Sequence, residues 1–372
     1  SSCFDVGDSA GSFGCMPIAW EARGRRRQQR RRPIALVGVV AQLLSIVPAA
    51  AAAGLAVTGS FIPSIDSSLA AARALVAPKP QLDKGGEFEG YEFWEENDEL
   101  LEGAWKELGP RHAALYVYGQ DFEKRYLSRD LRNAVVAARG GQGEAAVRGL
   151  FSELVPGVYA SDRIFTGGFL ADMLEELEHI ESSGIPCRRP NGMNRYGVIL
   201  DNVGLEAALS GFVNAYLRPL AQTLFPELVG AEDAEEHYAF TVRYEATGDT
   251  ELAQHGDASV VTLNLCLGRP GWQGGALRFF TYEGRGMYEL PGGNNASAGA
   301  GDVNFRPGLA LLHRGQHKHQ ALPLLSGERT NIIMWLFAKH GVVRVAPYPE
   351  KERLTASQRW LFPDHHTLKP DL

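Results

Sequence analysis

Apolar residues recur at helical spacing through the first half of the chain and at alternating positions through much of the second. Leu170, Met173, Leu174, Leu177 and Ile180, with Glu between them, follow Thr166 and predict a helix that ends near Gly184. Asn97 opens a helix through Leu108, stopped by Gly109-Pro110, and Ser128 caps Arg129–Arg139 ahead of Gly140-Gly141. Further helices are expected over Glu144–Leu154, stopped by Pro156, and over Ala207–Leu224, ending at Pro226. His179, on the Thr166 helix, reads as a boundary residue rather than a ligand. After residue 236 the period shortens. His237–Glu245, Ser259–Leu267, Ala276–Tyr282, Leu309–His313 and Thr330–Phe337 read as short strands between Gly and Pro clusters. Helices first and many short strands afterwards predict an α+β chain ending in an antiparallel barrel or jelly roll. In one of these strands Leu263, Leu265 and Leu267 share a face, which places Asn264 on the other, where an inward amide needs a partner.

The pattern divides the chain into a basic and apolar segment over 1–60, a Pro- and Gly-containing linker over 61–96, in which Ser67–Val76 can form a short helix, and a helical part over 97–236. A barrel core over 237–346 and a tail over 347–372 follow. With 372 residues, 45% hydrophobic and 22% charged, the chain has material for a large core, which excludes a disordered protein. Its net charge of -7 conceals an asymmetry: residues 1–60 carry seven Arg against Asp5, Asp8 and Glu21, so the remainder is more acidic than the whole. An acidic body disfavours nucleic acid as a partner, because phosphate contacts need concentrated Lys and Arg. Cys3, Cys15, Cys187 and Cys266 show no zinc spacing.

Arg23 to Arg32 are followed by a run free of charge up to Asp66, with five alanines at Ala49–Ala53. This reads as a cleavable targeting signal, or as a membrane anchor over residues 34–57. The destinations it suggests are the secretory pathway, in the lumen or membrane of the ER, or the thylakoid lumen of a plastid.

The chemistry gathers in the strand-rich part. His255-Gly-Asp257 is an H-x-D, whose i and i+2 side chains point the same way on extended backbone and can reach one ion. About sixty residues on comes His313-Arg-Gly-Gln-His317-Lys-His319, and ten residues beyond His319 stands Arg329, opening a strand. Two imidazoles and one carboxylate on one face of a metal are the ligand set of non-haem Fe(II) oxygenases. The open face can hold a chelating 2-oxo acid and O2, and an Arg fork suits a distal carboxylate. His313 and His317 compete with His319 for the third ligand position.

From Phe240-Thr-Val-Arg-Tyr244 through His255-Gly-Asp257 to Asn264, and again over Gly274–Phe279 and His317–Arg329, the chain is similar to the catalytic domain of procollagen-lysine hydroxylases. It resembles still more the 2-oxoglutarate and iron-dependent oxygenase domain-containing protein 2 family, through Leu174–His179, Arg189-Pro-Asn-Gly-Met-Asn194-Arg-Tyr-Gly-Val198 and Leu312–Gln316. The resemblance covers about residues 150–340 and implies a double-stranded β-helix (jelly-roll) core with helices packed outside. It implies iron on His255, Asp257 and His319, and 2-oxoglutarate held by Arg329 with Tyr244 and Asn264. It also implies O2 as co-substrate, ascorbate as a reductant, and a protein, peptide or small-molecule substrate that is hydroxylated with release of succinate and CO2. Only His319 has the ten-residue spacing to Arg329 that the family shows. Trp335 and Trp272 read as barrel packing. Two other classes of function stand beside this one: a catalytically silent jelly-roll binding module, and a membrane-tethered adaptor whose working part is its anchor.

Overall fold

The computed structural model describes residues 67–76, 91–140, 143–191, 193–230, 237–269, 271–280 and 301–337. The targeting segment over 1–60, the tail over 347–372 and residues 338–346 of the expected barrel lie outside the described residues. Among the described residues no helix is long and apolar enough to cross a membrane.

Helices occupy the first half in chain order: α1 (Ser68–Ala74), α2 (Tyr91–Glu96), α3 (Asp98–Leu108), α4 (Gln120–Tyr126), α5 (Arg129–Arg139), α6 (Glu144–Leu150) and α7 (Gly167–Ser182). Their starts follow the residues the sequence marks. The Ser128 hydroxyl accepts from Leu131 N–H at 3.0 Å, and Thr166 accepts from Phe169 N–H at 3.3 Å, each satisfying a donor that the first turn leaves unpaired. His179 rests against the backbone oxygen of Gly109, a structural contact. The segment expected as one helix over Ala207–Leu224 is α8 (Glu206–Phe212), a π-helical turn (Val213–Leu217) and α9 (Arg218–Leu224). Pro219 has no N–H to offer Ala215, four residues back, and Arg139 Nη2 donates to that carbonyl instead at 2.6 Å.

The expectation departs from the structure at two places in this half. The linker over 61–96 contains a second helix, α2, besides the short helix expected there, which is α1, and the part expected to be all helical contributes two strands. The helix expected over Glu144–Leu154 stops at Leu150, because Pro156 and Gly157, the latter at φ +79°, turn β1 (Ser152–Val155) back onto β2 (Val158–Ser161). β2 then pairs with the barrel.

The remaining strands are β3 (His237–Glu245), β4 (Leu252–His255), β5 (Val261–Gly268), β6 (Gln273–Gly274), β7 (Leu277–Phe279), β8 (Asp302–Val303), β9 (Ala310–Arg314), β10 (His319–Ala321), β11 (Leu324–Ser326) and β12 (Glu328–Leu336). A six-stranded sheet runs β1-β2-β9-β5-β12-β3 and a four-stranded sheet runs β4-β10-β7-β8. From β3 onward the chain crosses between these sheets again and again, and neighbouring strands within them pair antiparallel, which is the winding of a double-stranded β-helix.

Alternation along the large sheet explains its two-sided packing. Leu263, Leu265, Ile332, Met334 and Leu336 turn to the helices and join Phe169, Leu177 and Phe212 in one core cluster. Cys266, Leu311, Ile333 and Trp335 turn the other way and meet Leu277, Phe279 and Ala321 of the small sheet. Leu265 is fully buried, and its truncation to Ala would cost about 2–5 kcal/mol. Trp335 belongs to the inner cluster and Trp272 packs against it, as expected of barrel packing. The free edge of β3 is covered by residues 196–200, through Thr241 N–H to Val198 O at 2.8 Å and Arg243 N–H to Tyr196 O at 3.1 Å. Gly197 permits that approach: a Cβ there would lie 2.0 Å from Thr241 O.

Candidate metal centre and carboxylate pocket

His255 ends β4, a strand that the alternation pattern does not predict. Asp257 N–H donates to Gly315 O at 2.7 Å, tying the turn after β4 to the turn that leads into β10. β10 opens with His319, which pairs in register with His255 on one side and with Phe279 on the other. His255, Asp257 and His319 thereby come together with their ligand atoms within 4.8 Å of one another.

The tautomers are set by the backbone. His255 Nδ1–H donates to Ala253 O at 2.8 Å and His319 Nδ1–H donates to His317 O at 2.8 Å. Each Nε2 therefore keeps its lone pair, and each lies 3.7 Å from Asp257 Oδ1. The other carboxylate oxygen, Oδ2, accepts from Thr262 Oγ1 at 2.6 Å, and Thr262 is held in turn by Ser259 Oγ at 2.7 Å. Burial opposes the Asp257 charge, but His319, His313, His255 and the Thr262 hydroxyl hold its carboxyl below the usual range. Burial, helped by His319, brings His255 down to about 4, so its imidazole is neutral and ready to ligate at neutral pH.

The two competing histidines have other places. The ring of His317 bonds Phe280 O through Nε2 at 2.7 Å and stands outside the three-residue group. His313 is fully buried on β9, with Nδ1–H donating to Arg314 O at 2.9 Å and Nε2 4.0 Å from Asp257 Oδ2. Phe279 fills the space among the rings of His313, His317 and His319, with centroid separations of 5.2, 5.2 and 5.7 Å.

Arg329 pairs in register with Tyr244 on β3 and is only 1% exposed. Its guanidinium carbon lies 4.9 Å from the Tyr244 ring centroid and 4.8 Å from that of Phe305. Nη1–H donates to Gly275 O, while Nε–H has no hydrogen-bond partner. Among the described residues no carboxylate pairs with it, and burial lowers its pKa. A buried cation without a counter-charge fits a ligand carboxylate. Gly275, at φ +69°, lets the guanidinium in: a Cβ there would stand 3.1 Å from Nη1. The thiol of Cys266, close enough to feel the Arg329 charge, is pushed up to about 11 by burial.

The two remaining residues singled out from the sequence also line this region. The Tyr244 hydroxyl is buried beside Asn194, from the Arg189–Val198 motif, and burial raises its pKa. Asn264 Oδ1 accepts from Asn331 Nδ2 at 2.6 Å. Asn331 is absent from the site residues that the sequence marks; its position two places beyond Arg329 on one strand is the signal that points to it. The three donors suit a non-haem iron, and the uncompensated Arg329 suits the far carboxylate of a 2-oxo diacid.

A family model described as OGFOD2-like domain matches residues 106–230. The protein named 2-oxoglutarate and iron-dependent oxygenase domain-containing protein 2 in Xenopus tropicalis is 33% identical over 250 residues, covering 66% of this chain and 68% of that protein. The human protein of the same name is 40% identical over 176 residues, 47% of each chain. The chain thus spans about half the length of some relatives it matches. Procollagen-lysine,2-oxoglutarate 5-dioxygenase 1 of Rattus norvegicus is 27% identical over 221 residues, 56% of this chain and 26% of that protein. With the site geometry and these likenesses in agreement, the chain belongs to the 2-oxoglutarate and iron-dependent oxygenase domain-containing protein 2 family.

Proposed function

We propose that this protein is an Fe(II)- and 2-oxoglutarate-dependent dioxygenase that hydroxylates an unactivated C–H bond. The observation that carries the reading is the pairing of two sites: the Asp257 carboxylate converging with two imidazoles whose Nε2 lone pairs are free, and a buried Arg329 with no carboxylate of its own among the described residues. Iron and 2-oxoglutarate would supply O2 activation coupled to decarboxylation, so that R–H, O2 and 2-oxoglutarate give R–OH, succinate and CO2. The chain's own part is positional. His255, Asp257 and His319 would occupy one face of the metal and leave the opposite face open. Arg329 would hold the distal carboxylate, with Tyr244 and Phe305 flanking its guanidinium and keeping water from it.

The substrate class we propose is a protein, peptide or small molecule rather than nucleic acid, in keeping with the acidic body. Ascorbate would serve as the reductant that restores oxidised iron. The basic and apolar pattern of residues 1–60 supports delivery to the secretory pathway, in the lumen or on the membrane of the ER, with the plastid lumen as the other destination.

Succinate release from 2-oxoglutarate by the iron-loaded protein, with no added substrate, tests the reading. Release that needs both iron and O2 supports it. A protein that binds iron and 2-oxoglutarate yet releases none would be a binding module.

A further inference from the structure

Beside Arg329, the interior face of the large sheet carries a pair of asparagines. Asn331 follows Arg329 by two positions on β12, so both side chains leave the strand on the same face. In the pairing of β12 with β5, Asn331 stands opposite Cys266 and Ile333 opposite Asn264, so the two amides meet on the diagonal. Asn331 Nδ2 donates to Asn264 Oδ1 at 2.6 Å. Asn331 is 1% exposed, and its own Oδ1 has no hydrogen-bond partner.

This arrangement is costly as a stabilising contact. One hydrogen bond is made, while a second polar atom of the same side chain is buried without one. An apolar residue would pack the same sheet face without that penalty. The gain lies in orientation. An amide side chain can present either its oxygen or its NH2, and the two differ only by a half-turn. With Oδ1 of Asn264 taken up by Asn331, the group Asn264 has left to present is its NH2, a donor. A carboxylate ligand of Arg329 is acceptor-only, so it would be attracted by that NH2 and repelled by the oxygen.

We propose that Asn331 is a positioning residue for the co-substrate pocket: it locks the amide of Asn264 so that Asn264 offers its NH2 to the carboxylate of a 2-oxo diacid. The inference rests on the reading of Arg329 and Asn264 as co-substrate contacts. It assigns Asn331 no contact with the ligand itself.

The test is calorimetric titration of 2-oxoglutarate into the Mn(II)-loaded protein, without turnover, on Asn331→Ala, Asn331→Ser, Asn264→Ala and the double Ala variant, with melting temperatures alongside. Asn331→Ala is expected to raise the 2-oxoglutarate Kd about tenfold, with metal affinity unchanged. Asn331→Ser keeps a donor and should recover part of the loss. In the Asn264→Ala background the same Asn331→Ala change should have no further effect, because there is no amide left to orient. A Kd within twofold of wild type in Asn331→Ala, or a full loss that persists on top of Asn264→Ala, overturns the proposal. Arg329→Ala is the control for the underlying reading. If 2-oxoglutarate affinity is the same without Arg329, the co-substrate assignment itself falls, whatever Asn331 does.

Discussion

His255 and His319 stand directly opposite one another in the antiparallel pairing of β4 with β10, their ring centroids 4.3 Å apart. That register brings both Nε2 atoms to 3.7 Å from Asp257 Oδ1 and leaves no such place for His317, whose Nε2 is bonded to Phe280 O. His319→Ala is expected to weaken Co(II) or Fe(II) binding by more than about a hundredfold. His317→Ala should retain the site, because His319 is oriented by the backbone carbonyl of His317 and not by its ring. Metal titration followed by absorption of the Co(II) form separates the two, and the reverse order would place the third ligand two residues earlier.

Thr262 is the group that fixes which oxygen of Asp257 faces the metal. Its hydroxyl takes up Oδ2 and leaves Oδ1 facing the Nε2 atoms of both imidazoles. Thr262→Val keeps the shape and removes the donor, so metal affinity should fall by roughly ten- to a hundredfold with the fold intact. An unchanged metal Kd in a well-folded Thr262→Val protein would show that the carboxylate does not need this support.

Arg329→Ala should raise the 2-oxoglutarate requirement by roughly ten- to a hundredfold, the worth of a charge-assisted hydrogen bond, while iron still binds. Arg329→Lys should recover part of this, since a point charge remains and the fork is lost. Pyruvate has the chelating end without the distal carboxylate and should be a poor co-substrate of the wild type. The gap between the two keto acids should narrow in Arg329→Ala, measured as succinate or acetate release with iron content checked in parallel.

The metal-free protein should lose stability as pH falls from about 6.5 to about 4. His313 and His255 are brought down to about 3 and about 4 by burial and then by His319, and His317 to about 4 by burial. In that window the unfolded chain binds more protons than the folded one, so stability is full above it and drains away through it. Every tenfold loss of proton affinity on folding corresponds to about 1.4 kcal/mol, which makes this a loss of several kcal/mol in all. Urea midpoints at pH 7.5 and 4.5 measure it. His313→Gln should narrow the difference between those two values, because one buried imidazole no longer has to be kept neutral.

The strands are legible in the sequence where the chain alternates strongly, and not where they are short. β3 runs over His237–Glu245, the residues its pattern marks, and β5, β9 and β12 differ from expectation only at their ends. β4, β8 and β10 have four, two and three residues, too few for a period to show. They exist because long-range pairing supplies the hydrogen bonds their own sequence cannot specify. The helix expected over Glu144–Leu154 is cut short for a related reason: its last residues have helical composition, but Pro156-Gly157 forces a turn and β2 offers a partner.

The residue types and spacing of His255-Gly-Asp257, His319 and Arg329 are local facts, and the sequence alone determined them, together with the inward placement of Asn264. Alternation on an extended chain leaves little freedom in where those side chains point. What only the tertiary structure decided are relations between distant strands. These are the pairing of His319 with His255, the turning of His317 to Phe280 O, the enclosure of Arg329 between Tyr244 and Phe305, and the bond from Asn331 to Asn264. Each depends on which strands lie side by side and in what register. That is settled by packing the whole barrel at once, because a slip of one residue would turn every one of these groups to the other face of its sheet.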